Sequence, residues 1–327
     1  MRELTYADAV SEAMKEEMHR DPRVFTFGVQ VGLMEGLAKA YRGLYTEFGE
    51  DRVIDTPISE EAIAGLAVGT AIAGLRPVVE IMYIDIATLC MQEIVNNAAK
   101  SRYRTNGQLN VPLVIRTQGG AGIGRGMNHS QSLEAWFTHV PGLKVIMPST
   151  PYDVKGLLKS AIRNPDPVMF IENKELYSLK GPVPEEEYLI PLGEAEVKRS
   201  GKDVTIIAYS SMVPLALEAA DQLNNEGISV EVVDPRTLVP LDEATILESV
   251  RKTGHVIIVY EACKRSGYGA EIGMQIMEQA FDWLDAPIQR VAGEVLPVPY
   301  SPSIGKKVIP EKEDIITAVQ SFFAVQA

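Results

Sequence analysis

Short apolar runs alternate with amphipathic stretches along almost the whole chain, and this rhythm limits the fold more than any other feature. The runs Val24–Phe27, Val53–Ile54, Val78–Met82, Leu113–Ile115, Val145–Met147 and Val168–Ile171 have the length and composition of buried strands. Between them lie helix-period stretches such as Ala62–Ala73, Ala87–Ala99 and Tyr152–Arg163. Strand–helix–strand repetition predicts an α/β fold, a parallel sheet with helices on both faces. Two helix starts are written clearly. Thr5 with Asp8 reads as a capping box for a helix to about His19, and Thr150-Pro151-Tyr152-Asp153 reads as a cap, a first-turn proline and an acid three residues on.

Residues 174–200 break the rhythm with Gly181, Pro182, Pro184, the acidic run Glu185–Glu187 and Pro191. Alternation then resumes, with strands near Val204–Tyr209, Val230–Asp234, Val256–Tyr260 and Gln289–Val291. Helices are expected near Pro214–Asn225, Asp242–Arg251, Gly269–Phe281 and Lys312–Phe323. The reading is a first domain over residues 1–180, a linker over 181–200 and a smaller α/β domain over 201–327. A chain of 327 residues is long enough for two full cores.

Composition narrows the function. The net charge is −13 with no basic run, which argues against nucleic acid or an anionic membrane as partner. No apolar run approaches the roughly 18 residues of a membrane span, and the N-terminus lacks an apolar signal core. Two cysteines, Cys90 and Cys263, fit a reducing cytoplasm rather than a disulfide framework. Four histidines without ligand spacing argue against a zinc site. No Gly-x-Ser-x-Gly elbow supports a hydrolase triad, and no Gly-x-Gly-x-x-Gly opens a helix as dinucleotide binding requires.

Two segments carry chemistry. In Asp55-Thr-Pro-Ile-Ser-Glu60 a strand runs into a turn, Ser59 is placed to cap a helix, and Glu60 sits at that helix's mouth. Gly65 and Gly69 lie four apart on one face of the same helix. Each glycine costs about 1 kcal/mol in a helix interior, so a close approach to the backbone is expected. Glu60 serves either a buried cofactor or only the helix dipole. The second segment is the glycine-rich stretch Gly119–Gly126 followed by His129-Ser130. It lacks the spacing of a P-loop and reads as an active-site loop or, second, a phosphate cradle. His129 is either a loop-structuring residue or a proton donor to substrate.

Taken together and in order, Asp55-Thr-Pro-Ile-Ser-Glu60, Gly74-Leu-Arg-Pro-Val78, His129-Ser-Gln131, Pro141-Gly-Leu-Lys-Val145, Pro148-Ser-Thr-Pro-Tyr-Asp153, Lys155-Gly-Leu-Leu158 and Ala161-Ile-Arg163 resemble one family. It comprises the β subunits of the thiamine-diphosphate-dependent component of 2-oxo acid dehydrogenase complexes, acetoin dehydrogenase included. The resemblance extends to Ala286-Pro-Ile-Gln-Arg-Val291 and Pro297-Val-Pro-Tyr300. It implies a pyrimidine-binding transketolase-like domain followed by a transketolase C-terminal domain. It gives Glu60 the role of hydrogen-bonding the aminopyrimidine and so promoting ylid formation, with Ile58, Met82 and Ile86 around the ring and His129 near the substrate. It further implies potassium held by backbone carbonyls of Leu113, Ala161, Ile162, Asn164 and Asp166. The Gly-Asp-Gly of diphosphate and magnesium binding is missing, so an α subunit must supply that half of the site. The implied partners are two α chains, a second β chain and a lipoyl acyltransferase core. An alternative is half of a split transketolase-like enzyme, or a non-catalytic β-like partner. The chain departs from the family at Val29 and Leu89, where proton-carrying side chains are common; neither side chain here carries a proton. Met82-Tyr-Ile-Asp85 with Cys90 looks closer to the acetoin branch.

Overall fold

A computed structural model describes residues 2–121 and 124–324. The chain divides into two compact units, Met1–Gly119 with Trp136–Leu192, and Gly120–Ala135 with Gly193–Ala327. The change of unit at Leu192/Gly193 falls inside the expected linker. That linker is not structureless, since a strand borders each end of it. The stretch 120–135, read in sequence as part of the first domain, groups with the second unit.

The first unit holds, in chain order, β1 (Arg2–Thr5), α1 (Tyr6–Arg20), β2 (Val24–Gly28), α2 (Leu44–Phe48), β3 (Val53–Asp55), α3 (Glu60–Ile72), β4 (Arg76–Ile81), α4 (Ala99–Arg104) and β5 (Val114–Gly119). The short α5 (Glu134–Thr138) straddles the division; β6 (Lys144–Ile146), α6 (Pro151–Arg163), β7 (Val168–Asn173) and β8 (Lys180–Val183) follow. The order β6-β7-β5-β4-β2-β3 is parallel throughout, as the alternation predicts. The pair β1–β8 is antiparallel and has no counterpart in the apolar pattern of the sequence. Both written caps form. Thr5 accepts from the backbone N–H of Asp8 and Thr150 from that of Asp153, each at 3.1 Å. The expected single helix over Ala87–Ala99 is instead a 3-10 turn (Ile86–Cys90), a π-helical turn (Gln92–Ala98) and then α4.

Helices α1 and α6 pack together over one face of this sheet. The register places Val24, Thr26 and Gly28 beside Arg76, Val78 and Glu80; Val78 and Glu80 beside Val114 and Arg116; and Val114, Arg116 and Gln118 beside Val168, Phe170 and Glu172. The strand starts on this face are mainly apolar and feed the core. The C-terminal ends are polar and charged yet buried. Above them, Lys155 and Lys159 of α6 are 0% and 1% exposed at the side chain, and pair with Glu12 and Glu16 of α1 at 2.5–2.7 Å.

The second unit contains β9 (Glu196–Arg199), β10 (Val204–Ala208), α7 (Met212–Asn225), β11 (Val230–Asp234), β12 (Thr237–Val239), α8 (Glu243–Thr253), β13 (Val256–Cys263), α9 (Gly269–Ala280), β14 (Gln289–Gly293), α10 (Pro302–Gly305) and α11 (Lys312–Ser321). The sheet order is β14-β13-β10-β11-β9. All pairs are parallel except the antiparallel edge strand β9. Its core lies between that sheet and helices α7 and α11. Among the described residues no helix is long and apolar enough to cross a membrane.

Candidate cofactor site

Ligands of parallel α/β sheets bind outside the carboxyl ends of the strands. In the first unit β3 and β4 flank β2, and the segments carrying Glu60 and Met82 leave the sheet at that edge. From the end of β3 the chain turns through Thr56-Pro57-Ile58-Ser59, pinned by the Thr56 N–H donating to Gly28 O at 2.9 Å. Helix α3 then begins at Glu60. Ser59 occupies the N-cap position, but its side chain makes no capping bond, contrary to the expectation. Asp55 is used instead to hold the neighbouring loop, accepting from Gly32 N at 2.7 Å and Leu33 N at 3.1 Å.

Glu60 is half-buried and Glu61 exposed. Ile58 stands 78% exposed beside them. From β4 the chain runs through Met82 and Ile86, both half-buried, into the 3-10 turn that packs against α3. Burial, and then the charges of Glu60, Glu61 and Glu93, push the Cys90 thiol up to about 12. Two carboxylates, Glu60 and Glu61, thus stand at the mouth of α3, with a third, Glu93, beside Gly65 in its second turn, and Ile58 is left uncovered. Glu93, which the sequence does not single out, reaches this place because the π-helical turn carries it toward α3. Its carboxyl carbon would lie 3.8 Å from a methyl on Gly65, and its Oε2 accepts from Asn97 Nδ2 at 2.8 Å.

The second glycine of the helical pair, Gly69, is open: a methyl added there would meet nothing within 4 Å. Leu66 of the same helix is 55% exposed. The close approach expected of the two glycines is not made within this chain. Val29 is half-buried and Leu89 exposed; being hydrocarbon side chains, neither adds a titratable group.

His129 belongs to the second unit. Its backbone N–H donates to Gly126 O at 3.2 Å, closing a turn, and its ring is half-buried. Gly126 has φ +79° and packs on Tyr300 so tightly that a methyl would lie 2.3 Å from the ring, so glycine is required there. Gly122 and Ile123 of the glycine-rich stretch lie outside the described residues. At its start the Ala121 N–H donates to Glu261 Oε1 at 2.5 Å, and the Ser211 hydroxyl donates to Glu261 Oε2 at 2.9 Å. Glu134, which carries no motif in the sequence, is fully buried; burial pushes its carboxyl up to about 7, and Tyr209 donates to it at 3.0 Å.

The five carbonyls expected to hold potassium already have donors at four positions. Arg76 donates to Ile162 O at 2.7 Å and Asn164 O at 3.3 Å, Val168 N to Leu113 O at 2.8 Å, and Asn164 N to Ala161 O at 3.1 Å. The Asp166 carboxylate pairs with Arg102 and Lys144. A potassium ion on the Ile162 and Asn164 carbonyls would have to compete with the Arg76 guanidinium. Among the described residues no cluster of three His, Cys, Asp or Glu is placed to hold a metal ion.

Residues 2–180 match the family described as transketolase, pyrimidine binding domain, and residues 193–315 that described as transketolase, C-terminal domain. The chain belongs to the β-subunit family of the 2-oxo acid and acetoin dehydrogenases. It is 46% identical to the pyruvate dehydrogenase E1 component subunit beta-2 of Oryza sativa mitochondria, covering 98% of this chain and 86% of that one. It is also 46% identical to the 2-oxoisovalerate dehydrogenase subunit beta of Bacillus subtilis, with 98% of both covered. A third relative is the acetoin:2,6-dichlorophenolindophenol oxidoreductase subunit beta of Cupriavidus necator, at 46% with 98% and 97% covered. Among solved structures, a split gene transketolase, an inactive beta4 tetramer, superimposes with TM-score 0.81 over 99% of both chains. At 21% identity that likeness shows the fold alone, so the split-transketolase alternative gains no functional support from it.

Proposed function

We propose that this chain is the β subunit of a thiamine-diphosphate-dependent dehydrogenase of the pyruvate, branched-chain 2-oxo acid or acetoin type, active with an α subunit. The observation that carries the reading is Glu60, at the mouth of a helix on the C-terminal edge of a parallel sheet, beside the exposed Ile58 and the half-buried Met82 and Ile86. A carboxylate with an apolar rim suits a flat heteroaromatic ring that offers one nitrogen. When bound, thiamine diphosphate supplies a nucleophilic carbon and an electron sink. Glu60 is the residue that would hold the pyrimidine nitrogen and exchange its proton. Ile58, Met82 and Ile86 would be covered by the ring and keep water from that proton. His129 donates a hydrogen bond or proton to the substrate's oxygen.

Diphosphate and magnesium are assigned to the α subunit, because magnesium requires hard oxygen ligands beside the phosphates and this sequence offers no Gly-Asp-Gly to hold them. Two α and two β chains, a β–β contact and a lipoyl acyltransferase core complete the proposed assembly. A structural potassium ion belongs to the reading only if it displaces Arg76 from its carbonyls. The two free thiols, Cys90 and Cys263, support a reducing, cytoplasmic location.

The test uses two neighbouring carboxylates. Glu61 lies about 100° further round the helix, so both cannot serve one ring nitrogen. In the assembly reconstituted with its α subunit, Glu60→Gln keeps shape and hydrogen bonding but cannot exchange the proton. Proton–deuterium exchange at the thiazolium carbon should slow by about 10²-fold or more, while Glu61→Gln stays near wild type. Fast exchange in Glu60→Gln returns Glu60 to the helix-dipole role.

A further inference from the structure

The loop between β2 and α2 holds a costly conformation. Gln30, Glu35, Ala38 and Lys39, none of them glycine, have φ between +52° and +63°. Left-handed backbone at ordinary residues costs roughly 1–2 kcal/mol each and persists only where the surroundings impose it. Asp55 imposes it on one side, at Gly32 and Leu33. On the other side the loop sits on the buried charged ends of the strands. A methyl on Gly36 would lie 2.4 Å from the Tyr41 ring and 2.9 Å from Glu80 Oε2. Tyr41, fully buried, lays its ring 4.7 Å from the Arg116 guanidinium carbon.

The charges beneath the loop do not balance. Arg116 donates to both oxygens of Glu172, at 2.6 and 2.8 Å, and the Tyr177 hydroxyl adds a bond to Glu172 Oε2 at 2.7 Å. That pair is neutral as a unit. Glu80 is a further carboxyl, 1% exposed, whose Oε1 accepts from Gln118 Nε2 at 2.6 Å. The groups that face it come from each neighbouring element. Thr26 and Gly28 come from β2, Arg116 and Gln118 from β5, Glu172 from β7, and Gly36, Leu37 and Tyr41 from the loop. Arg116 is the only cation among these groups, and it is already engaged. The Gln118 amide and the Leu37 backbone N–H donate to the Glu80 carboxylate, but no free cation among these groups balances it, so an ionised Glu80 leaves the cluster with a net buried charge, which is expensive; a protonated Glu80 leaves it neutral.

We propose that Glu80, with Gln118, Arg116 and Glu172 beneath and Gly36 and Tyr41 above, is a pH-responsive latch that holds the strained loop of residues 29–43 onto the sheet. Burial, opposed chiefly by Arg116, pushes the Glu80 carboxyl up to about 7 from its ordinary 4.5. A carboxyl raised in the closed state stabilises that state fully below the open-state value, and the stabilisation is lost as pH rises through the closed-state value. The latch is firm below about pH 4.5, weakens through the window up to about 7 and is at its loosest above it. Loosening would free the segment whose tip carries the exposed Leu33 and Met34.

Amide hydrogen exchange in the full chain, corrected for the intrinsic pH dependence, tests this. The reporters are the N–H groups of Gly36 and Tyr41, bonded within the loop to Gln30 O and Glu35 O at 2.9 and 3.0 Å. Protection should fall by about tenfold per pH unit between pH 5 and 7 and level off above. Glu80→Gln should abolish the slope. Gln118→Leu, which removes the amide donor, should keep the slope and move its end to higher pH. A pH-independent loop in the wild type, a slope that survives in Glu80→Gln, or an unmoved end point in Gln118→Leu overturns the proposal.

Discussion

Helices α6 and α3 belong to the same unit and have the same length, yet they finish in opposite conditions. The α6 helix is closed within the chain. Its two lysines are buried against glutamates of α1, its apolar residues feed the core, and its first turn is capped by Thr150. The α3 helix is left open. It carries no basic residue and little polarity after Glu61, Ser59 does not cap it, Gly69 faces nothing, and Leu66 and Ile72 are exposed. A helix that is apolar nearly all round is normally buried on all sides. The first unit completes the α6 side by itself and leaves the Glu60 side exposed within this chain.

The closed side gives the largest expected effect. Arg116→Met leaves Glu172 buried without its cation and should destabilise the chain by about 3–5 kcal/mol in denaturant titration. A loss under about 1 kcal/mol would mean that the charged strand ends are hydrated and not closed. The open side is sharpened by Gly69→Leu. In the isolated chain the new side chain meets nothing, and replacing a helical glycine should raise stability slightly, by up to about 1 kcal/mol. In the assembly the same change should overpack the contact and cost about 1–3 kcal/mol of association. If Gly69→Leu assembles as well as wild type, α3 is not a contact helix. The smallest effect belongs to the cap. Thr150→Ala should cost about 1 kcal/mol, measured by the shift in the unfolding midpoint. A Ser59→Ala change at the uncapped start of α3 should fall well below that.

Much of this contrast is already legible in the residues. Thr5 with Asp8 and Thr150 with Asp153 mark two helix starts because capping is local chemistry, satisfied within three residues. The strands are legible because apolar runs must be buried. Glu60 and the open glycines stand out because a carboxylate and two glycines conflict with an ordinary amphipathic helix. What stays hidden depends on register or on long-range grouping. Glu80, Arg116 and Glu172 each interrupt an apolar run near its end, yet only strand pairing brings them together. The broken helix over residues 86–104 follows an unbroken amphipathic pattern, and its π-helical turn delivers Glu93 to the second turn of α3, beside Gly65. The grouping of residues 120–135 with the second unit rests on contacts such as Ala121 with Glu261, 140 residues away.

If the Glu60 side is finished only when a partner covers it, cofactor binding must depend on the α subunit in the same way. Isothermal titration of thiamine diphosphate with magnesium into the chain alone, and then into the chain with its α subunit, addresses it directly. No saturable heat is expected at micromolar cofactor for the chain alone, and saturable binding once the α subunit is present. Micromolar affinity in the chain alone would contradict that dependence.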